Sequence, residues 1–178
     1  ARPGSGTAPV KPSRLLLALI GGLLALAIVL GSLPLLGIKL PQTLQPLWWG
    51  LLLALLLIAA ADALWLRRLP TPRLQRQLPG NLPLGRWSEV RLTLHHDYHQ
   101  PLVVQAFDHL PEHMDFEFMP QQVELHPGEQ TEFGYRVRPL KRGHFRIPRC
   151  ELLLPSPLRL WQARRFIDQA SETRVYPD

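Results

Sequence analysis

The chain has 178 residues, 46% of them hydrophobic, and a formal net charge of +6. Residues 1–76 hold eight Lys/Arg and one acid, whereas residues 77–178 hold twelve Lys/Arg and thirteen acids. A surplus confined to one end excludes the basic folded face of a nucleic-acid binder, and one cysteine, Cys150, excludes an internal disulfide and suits a reducing compartment.

Residues 1–13 are small, polar and Pro/Gly-containing, and read as a disordered tail. Residues 14–66 then read as a two-helix transmembrane hairpin, with apolar runs at 15–36 and 47–66. A helix rises about 1.5 Å per residue, so roughly 20 apolar residues cross a hydrocarbon core of about 30 Å. Neither run has the polar stripe of a soluble amphipathic helix. The first is longer than the apolar stretch of a cleaved signal peptide and lacks a small-x-small site before a polar start.

Flanking charge predicts the sidedness. Lys11 and Arg14 precede the first run, Arg67, Arg68, Arg73 and Arg76 follow the second, and the intervening loop holds only Lys39. Cytoplasmic flanks carry the Lys/Arg excess, so both termini are expected inside and residues 37–46 outside. Trp48 and Trp49 are then outer-interface anchors, and Trp65, Arg67 and Arg68 inner ones. Anionic lipid is a natural partner for this flank. Ala18, Gly21, Gly22 and Ala25 share a helical face of small residues, expected to meet the second helix or a partner protein. Asp62 is the one acid within the runs, and is expected to reach the interface or pair with Arg67 or Arg68.

Residues 67–80, RRLPTPRLQRQLPG, read as a stiff, basic linker punctuated by Pro70, Pro72 and Pro79. From there to residue 178 the period is two. In SEVRLTLHH, Val90, Leu92 and Leu94 alternate with Glu89, Arg91 and Thr93, which predicts a half-buried strand. LVVQAFD is apolar on both faces and reads as a central strand; LPEHMDFEFMP reads as irregular or a short edge element. QQVEL and TEFGYRVRP follow as strands, the second with Phe133, Tyr135 and Val137 inward. HFRIPRCELLL reads as one strand broken at Pro148, and WQARRFI and TRVYP complete the set. Short strands separated by Pro/Gly turns predict an immunoglobulin-like β-sandwich over 81–178, so the fold class is a membrane α-helical hairpin followed by an all-β sandwich.

The turn His95-His96-Asp97-Tyr98-His99 carries imidazole and carboxylate groups suited to zinc or nickel. Adjacent strand residues point to opposite faces, so at most His96 with Asp97, or His96 with His99, converge; a ligand- or metal-sensing membrane domain is the alternative reading this turn supports. Ser156 and Ser171 show no positioned base, Cys150 reads as a small buried residue, and no phosphate-binding glycine loop occurs. No catalytic residue and no cofactor are therefore expected. The best binding candidates are Arg136, Arg138, Lys141 and Arg142 at one basic turn, beside Glu132 and neighbouring acids.

Short motifs recur in a recognisable order. Leu82-Pro83-Leu84-Gly85, Pro101-Leu102, Asp108-His109-Leu110-Pro111, Tyr135, Pro139, Arg142-Gly143, Ser156-Pro157-Leu158-Arg159-Leu160-Trp161 and Val175-Tyr176-Pro177, after a two-span N-terminus, resemble the DUF58 family of bacterial membrane proteins. The resemblance implies an inner-membrane scaffold or adaptor whose β-sandwich precedes a von Willebrand factor A domain, with a MoxR-type AAA+ ATPase as partner. Arg159 stands where the family often has glycine. The chain stops at Val175-Tyr176-Pro177-Asp178, where that A domain is expected to begin, and the Asp-x-Ser-x-Ser metal motif is not carried over.

Overall fold

The computed structural model describes residues 10–177. They form two units, one of residues 70–154 with 164–177 and one of residues 10–69 with 155–163.

The smaller unit holds two apolar helices. A two-residue strand, β1 (Lys11–Pro12), leads into α1 (Arg14–Ser32), which continues as a 3-10 turn over Leu33–Leu36. Ser13 caps α1 by accepting the Leu16 N–H on Oγ at 3.3 Å. The tail expected over 1–13 is thus ordered at its end, while residues 1–9 lie outside the described residues. Gly37 closes the 3-10 turn at φ 82°, a left-handed position that a Cβ disfavours. The second helix, α2 (Leu44–Arg68), admits Pro46 in its first turn, where no intrahelical N–H bond is lost.

Both helices are long and apolar enough to cross a membrane. The inward face of α1 runs through Leu16, Ile20, Leu23, Ala27 and Leu30, a three- and four-residue spacing. Leu16 and Ile20 pack with Leu55 and Ala59 of α2, and the Trp48 indole N–H donates to Leu23 O at 3.1 Å. The small-residue face is not the seam. Ala18, Gly21, Gly22 and Ala25 are exposed, and a Cβ placed on either glycine would meet nothing within 4 Å. The seam instead follows the polar contacts at the foot of the helices, which turn Leu16 inward.

Asp62 also departs from expectation. It is 4% exposed, and pairs with the turn 155–161 that belongs to this unit. Ser156 Oγ–H donates to Asp62 Oδ2, and the Leu158 N–H donates to Oδ1 at 3.0 Å. A carboxylate in an apolar helix needs donors nearby, and main-chain and hydroxyl donors from the turn supply them.

The larger unit is built of antiparallel sheets with one parallel pair. Its strands are β2 (Arg73–Gln77), β3 (Asn81–Pro83), β4 (Ser88–His95), β5 (Leu102–Asp108), β6 (Met114–Glu117), β7 (Gln121–Leu125), β8 (Thr131–Pro139), β9 (Gly143–Ile147), β10 (Cys150–Pro155), β11 (Trp161–Ile167) and β12 (Ser171–Tyr176). One sheet has the order β11-β10-β5-β7, a second β2-β4-β8-β6, and a third β3-β12-β9, where β3 runs parallel to β12. At the start of β11, Trp161 and Gln162 lie in the helical unit and pair with β1.

Alternation in the sequence becomes burial here. Val90, Leu92, Leu94, Val104, Val137, Leu152 and Leu154 are fully buried, each contributing about 1.5–3 kcal/mol by leaving water. Gly134 permits the close approach of β4, because a Cβ there would sit 3.2 Å from Val90 O.

Two expected boundaries move. Residues 67–80 are not a linker: Arg67 and Arg68 end α2, and Arg73–Gln77 pair with β4 from Arg73↔His95 to Gln77↔Arg91. Tyr98 Oη–H donates to Pro70 O at 2.6 Å and Arg165 Nη1 to Thr71 Oγ1 at 3.1 Å, which fixes the short stretch before β2. The strand expected over HFRIPRCELLL is two strands, and Pro148 marks where the chain leaves the β9 sheet for the β10 sheet.

Arg76 has a structural partner in place of its expected topological role. With its side chain fully buried, it forms a bidentate pair with buried Asp108, Nε to Oδ2 at 2.9 Å and Nη2 to Oδ1 at 2.6 Å. Tyr135 Oη–H donates to the same carboxylate at 2.5 Å, and Arg76 Nη1 donates to Ser171 Oγ at 3.0 Å and to Gln169 O. The cluster thereby joins all three sheets through β2, β5, β8 and β12. Burial, with the Asp108 charge beside it, raises the Tyr135 phenol pKa, and the same two causes raise that of the Cys150 thiol.

Removing one partner leaves a buried charge unpaired. In denaturant unfolding of the full chain, Arg76→Leu is expected to cost about 3–5 kcal/mol, Tyr135→Phe about 1–3, and the Arg76→Leu/Asp108→Leu pair less than Arg76→Leu alone. Equal losses for the single and the double variant contradict the ion-pair account. Alkali supplies a second check. Burial pushes the Tyr98 phenol up to about 12 from 10.0, so the folded state keeps a proton that the unfolded chain releases. Stability is expected to be full below pH 10 and to be lost as pH rises through about 12, and Tyr98→Phe/Tyr135→Phe is expected to flatten that loss. In a Tyr176→Phe background, which leaves Tyr98 and Tyr135 as the two tyrosines, phenolate absorbance appearing near pH 10 before any loss of fold contradicts it.

Candidate interaction surface

The register of β6 on β8 sets opposite charges face to face. Asp115 lies across from Arg138 and Glu117 across from Arg136. Residues two apart on a strand share a face, so Arg136 and Arg138 stand side by side over two acids. Arg138 Nη2 reaches Asp115 Oδ2 at 2.7 Å, and Arg136 Nη2 pairs with Glu117 Oε2. All four side chains are more than a third exposed, so these pairs add little stability. They orient the guanidinium groups.

Aromatic rings complete the surface. Trp87, one residue before β4, lies under both cations, with its ring centroid 5.0 Å from the Arg138 guanidinium and 5.5 Å from that of Arg136. The Phe118 ring lies 5.5 Å from Arg136 and is 62% exposed. Arginine stacked on an exposed aromatic platform combines apolar area with directional donors, the chemistry enriched at protein interfaces. Arg138 Nε is buried without a hydrogen-bond partner.

The four expected binding residues therefore divide. Arg136 and Arg138 pair with acids on β6, not with Glu132. Lys141 and Arg142 are exposed in the turn between β8 and β9, where the Leu140 N–H donates to His113 O at 2.7 Å. Trp87, Phe118, Asp115 and Glu117 were not singled out from the sequence. One signal was available: Asp115-x-Glu117 and Arg136-x-Arg138 carry opposite charges at the same period of two.

The histidine turn is arranged around Tyr98. Its ring is buried and stacks on His96 at 5.1 Å, and its N–H donates to His96 Nδ1 at 3.3 Å. Asp97 and His99 are exposed. His96 Nε2 is buried with no hydrogen-bond partner, but no group of three His, Cys, Asp or Glu side chains placed to hold a metal occurs among the described residues.

The expected anchors differ in their surroundings. Trp49 and Trp65 are 57% and 56% exposed, Trp48 is half-buried against α1, and Arg67 and Arg68 are exposed at the end of α2. Trp48 and Trp49 meet edge to face at 5.0 Å.

No family model matches the chain, and no curated protein matches it. Among solved structures, it is similar over 60% of its length to Salmonella alpha-2-macroglobulin reacted with methylamine, at 19% identity and a TM-score of 0.45. Over 61% of its length it is similar to trypsin-activated alpha-2-macroglobulin from Escherichia coli, at 18% identity and a TM-score of 0.46. The chain covers 7% of each of those proteins.

Proposed function

We propose that the chain is a non-enzymatic, membrane-anchored scaffold or adaptor. In this reading α1 and α2 cross a bacterial inner membrane as a hairpin, with both termini cytoplasmic. The strands β2 to β12 form an immunoglobulin-like sandwich that binds protein partners. The observation that carries the reading is the apolar exposure of both helices. Ile28 is 73% exposed, Leu57 62% and Leu53 59%, on faces that water would penalise and acyl chains would cover.

The orientation rests on fewer charges than the sequence count, because Arg73 and Arg76 belong to β2. Lys11, Arg14, Arg67 and Arg68 still flank one end of the helices, against Lys39 at the other. The partner rests on the resemblance to DUF58 proteins, which points to a MoxR-type AAA+ ATPase. The surface offered to it is the face of Trp87, Phe118, Arg136 and Arg138, with exposed Lys141 and Arg142 at its end. Cations there suit an acidic protein patch or anionic lipid.

Charge reversal tests the surface. With about 1 kcal/mol for each cation near an anionic surface, losing two lowers affinity roughly thirtyfold. Lys141→Glu/Arg142→Glu is therefore expected to reduce co-purification of the ATPase with the detergent-solubilised full chain by at least that factor. Unchanged co-purification rejects this surface.

A further inference from the structure

The motif Ser156-Pro157-Leu158-Arg159-Leu160-Trp161 does more than reverse the chain between β10 and β11. We propose that this turn is a third membrane-contacting element, dipping into the interface of an anionic bilayer beside α2. Leu158 supplies the apolar wedge, and Arg159 meets lipid phosphate. The inference rests on the membrane-spanning reading of α1 and α2.

Depth is the first argument. The turn is attached to α2 well inside its C-terminal end, through Asp62 to Leu158 N–H and through the Trp161 indole N–H to Ala59 O at 2.7 Å. Those two α2 residues lie about 9 Å and about 14 Å along the axis before Arg68, at about 1.5 Å per residue. α2 has 25 residues, about 37 Å, against a hydrocarbon core of about 30 Å, so only a few residues at each end project beyond it. A segment held alongside Ala59 and Asp62 therefore reaches the inner edge of the core.

The second argument is that its main chain can tolerate that place. Non-helical backbone at membrane depth must satisfy its polar groups within the protein. Ser156 N–H bonds Trp161 O at 2.9 Å, Arg159 N–H bonds Ser156 O at 2.9 Å, and Trp161 N–H bonds Ser156 Oγ at 3.0 Å. Leu158 N–H goes to Asp62, and Pro157 has no N–H to satisfy. Ser13 serves the carbonyl side, its N–H bonding Leu160 O at 2.8 Å and its Oγ–H bonding Arg159 O at 2.5 Å.

The third argument is what the turn leaves outside. Leu158 is 53% exposed, next to exposed Arg159, while Leu160 is buried against Leu16 and Ala59. Nearby on α2, Leu64 and Trp65 are 50% and 56% exposed. Arg159 adopts φ 58°, a left-handed conformation that glycine would hold at less cost. The cation therefore stands at a strained position, at the end of the helices where Lys11, Arg14, Arg67 and Arg68 are also exposed. An apolar tip with a basic neighbour fits the boundary between acyl chains and anionic headgroups.

Spin labels on the full chain, reconstituted into phosphatidylethanolamine–phosphatidylglycerol vesicles, test this. Leu158→Cys reads the turn, Leu53→Cys the middle of α2, and Glu129→Cys an exposed turn of the strand unit; the unsubstituted chain, with Cys150 buried, gives the background. Both Leu158→Cys and Leu53→Cys are expected to be accessible to oxygen and to have lost accessibility to a water-soluble nickel chelate, relative to Glu129→Cys. A nickel-accessible label at 158 with a shielded one at 53 overturns the inference and leaves the membrane-spanning reading standing. Nickel access at both positions overturns both.

Discussion

A carboxylate taken out of water must be answered by donors, and each unit of this protein is arranged around one that is. Asp108 receives Arg76 and Tyr135, and through Arg76 the cluster gathers strands from three sheets. Asp62 receives the Ser156 hydroxyl and the Leu158 N–H, which hold the turn 155–161 on α2, and Ser13, the cap of α1, binds the same turn through Arg159 O and Leu160 O. Leaving either acid without its donors costs several kcal/mol, a large part of the net stability of a small domain. Apolar burial supplies most of the stabilisation, but it is non-directional. These polar contacts specify which strand lies where, and which face of α1 turns inward.

Both pairings explain where the sequence was legible and where it was not. Strands with one wet face advertise themselves by alternation, so β4, β7 and β8 were readable nearly to the residue, and β5 was readable as a short run apolar on both faces. β2 was not, because RLQRQ lies among prolines and basic residues and has one inward leucine. β1 and β3, of two and three residues, are too short for any period. Pro148 signalled a break, but not that the strands on its two sides enter different sheets.

Long-range partners hid the rest. Arg76 looked like one more flanking cation, because nothing local links it to Asp108, 32 residues away; Asp62 meets Ser156 across 94 residues. In helices apolar all round, hydrophobicity cannot mark the seam, so the small-residue face was the natural and mistaken choice. On the candidate surface, the basic residues of β8 were visible, but Trp87 and Phe118 were not. Their role depends on strand register, which brings them beneath guanidinium groups far along the chain.

The proposed function draws on features of different kinds: helices with uncovered apolar surface, a basic end, and strands that present arginines over aromatic rings. Together they describe a tethered interaction module. Orientation decides which partners it can meet, and one paired measurement reads it directly. Green fluorescent protein and alkaline phosphatase are each fused after Asp178 and expressed in bacteria. The account predicts a fluorescent first fusion and an inactive phosphatase. An active phosphatase with a dark fluorescent protein would place the strand unit outside and contradict the cytoplasmic adaptor.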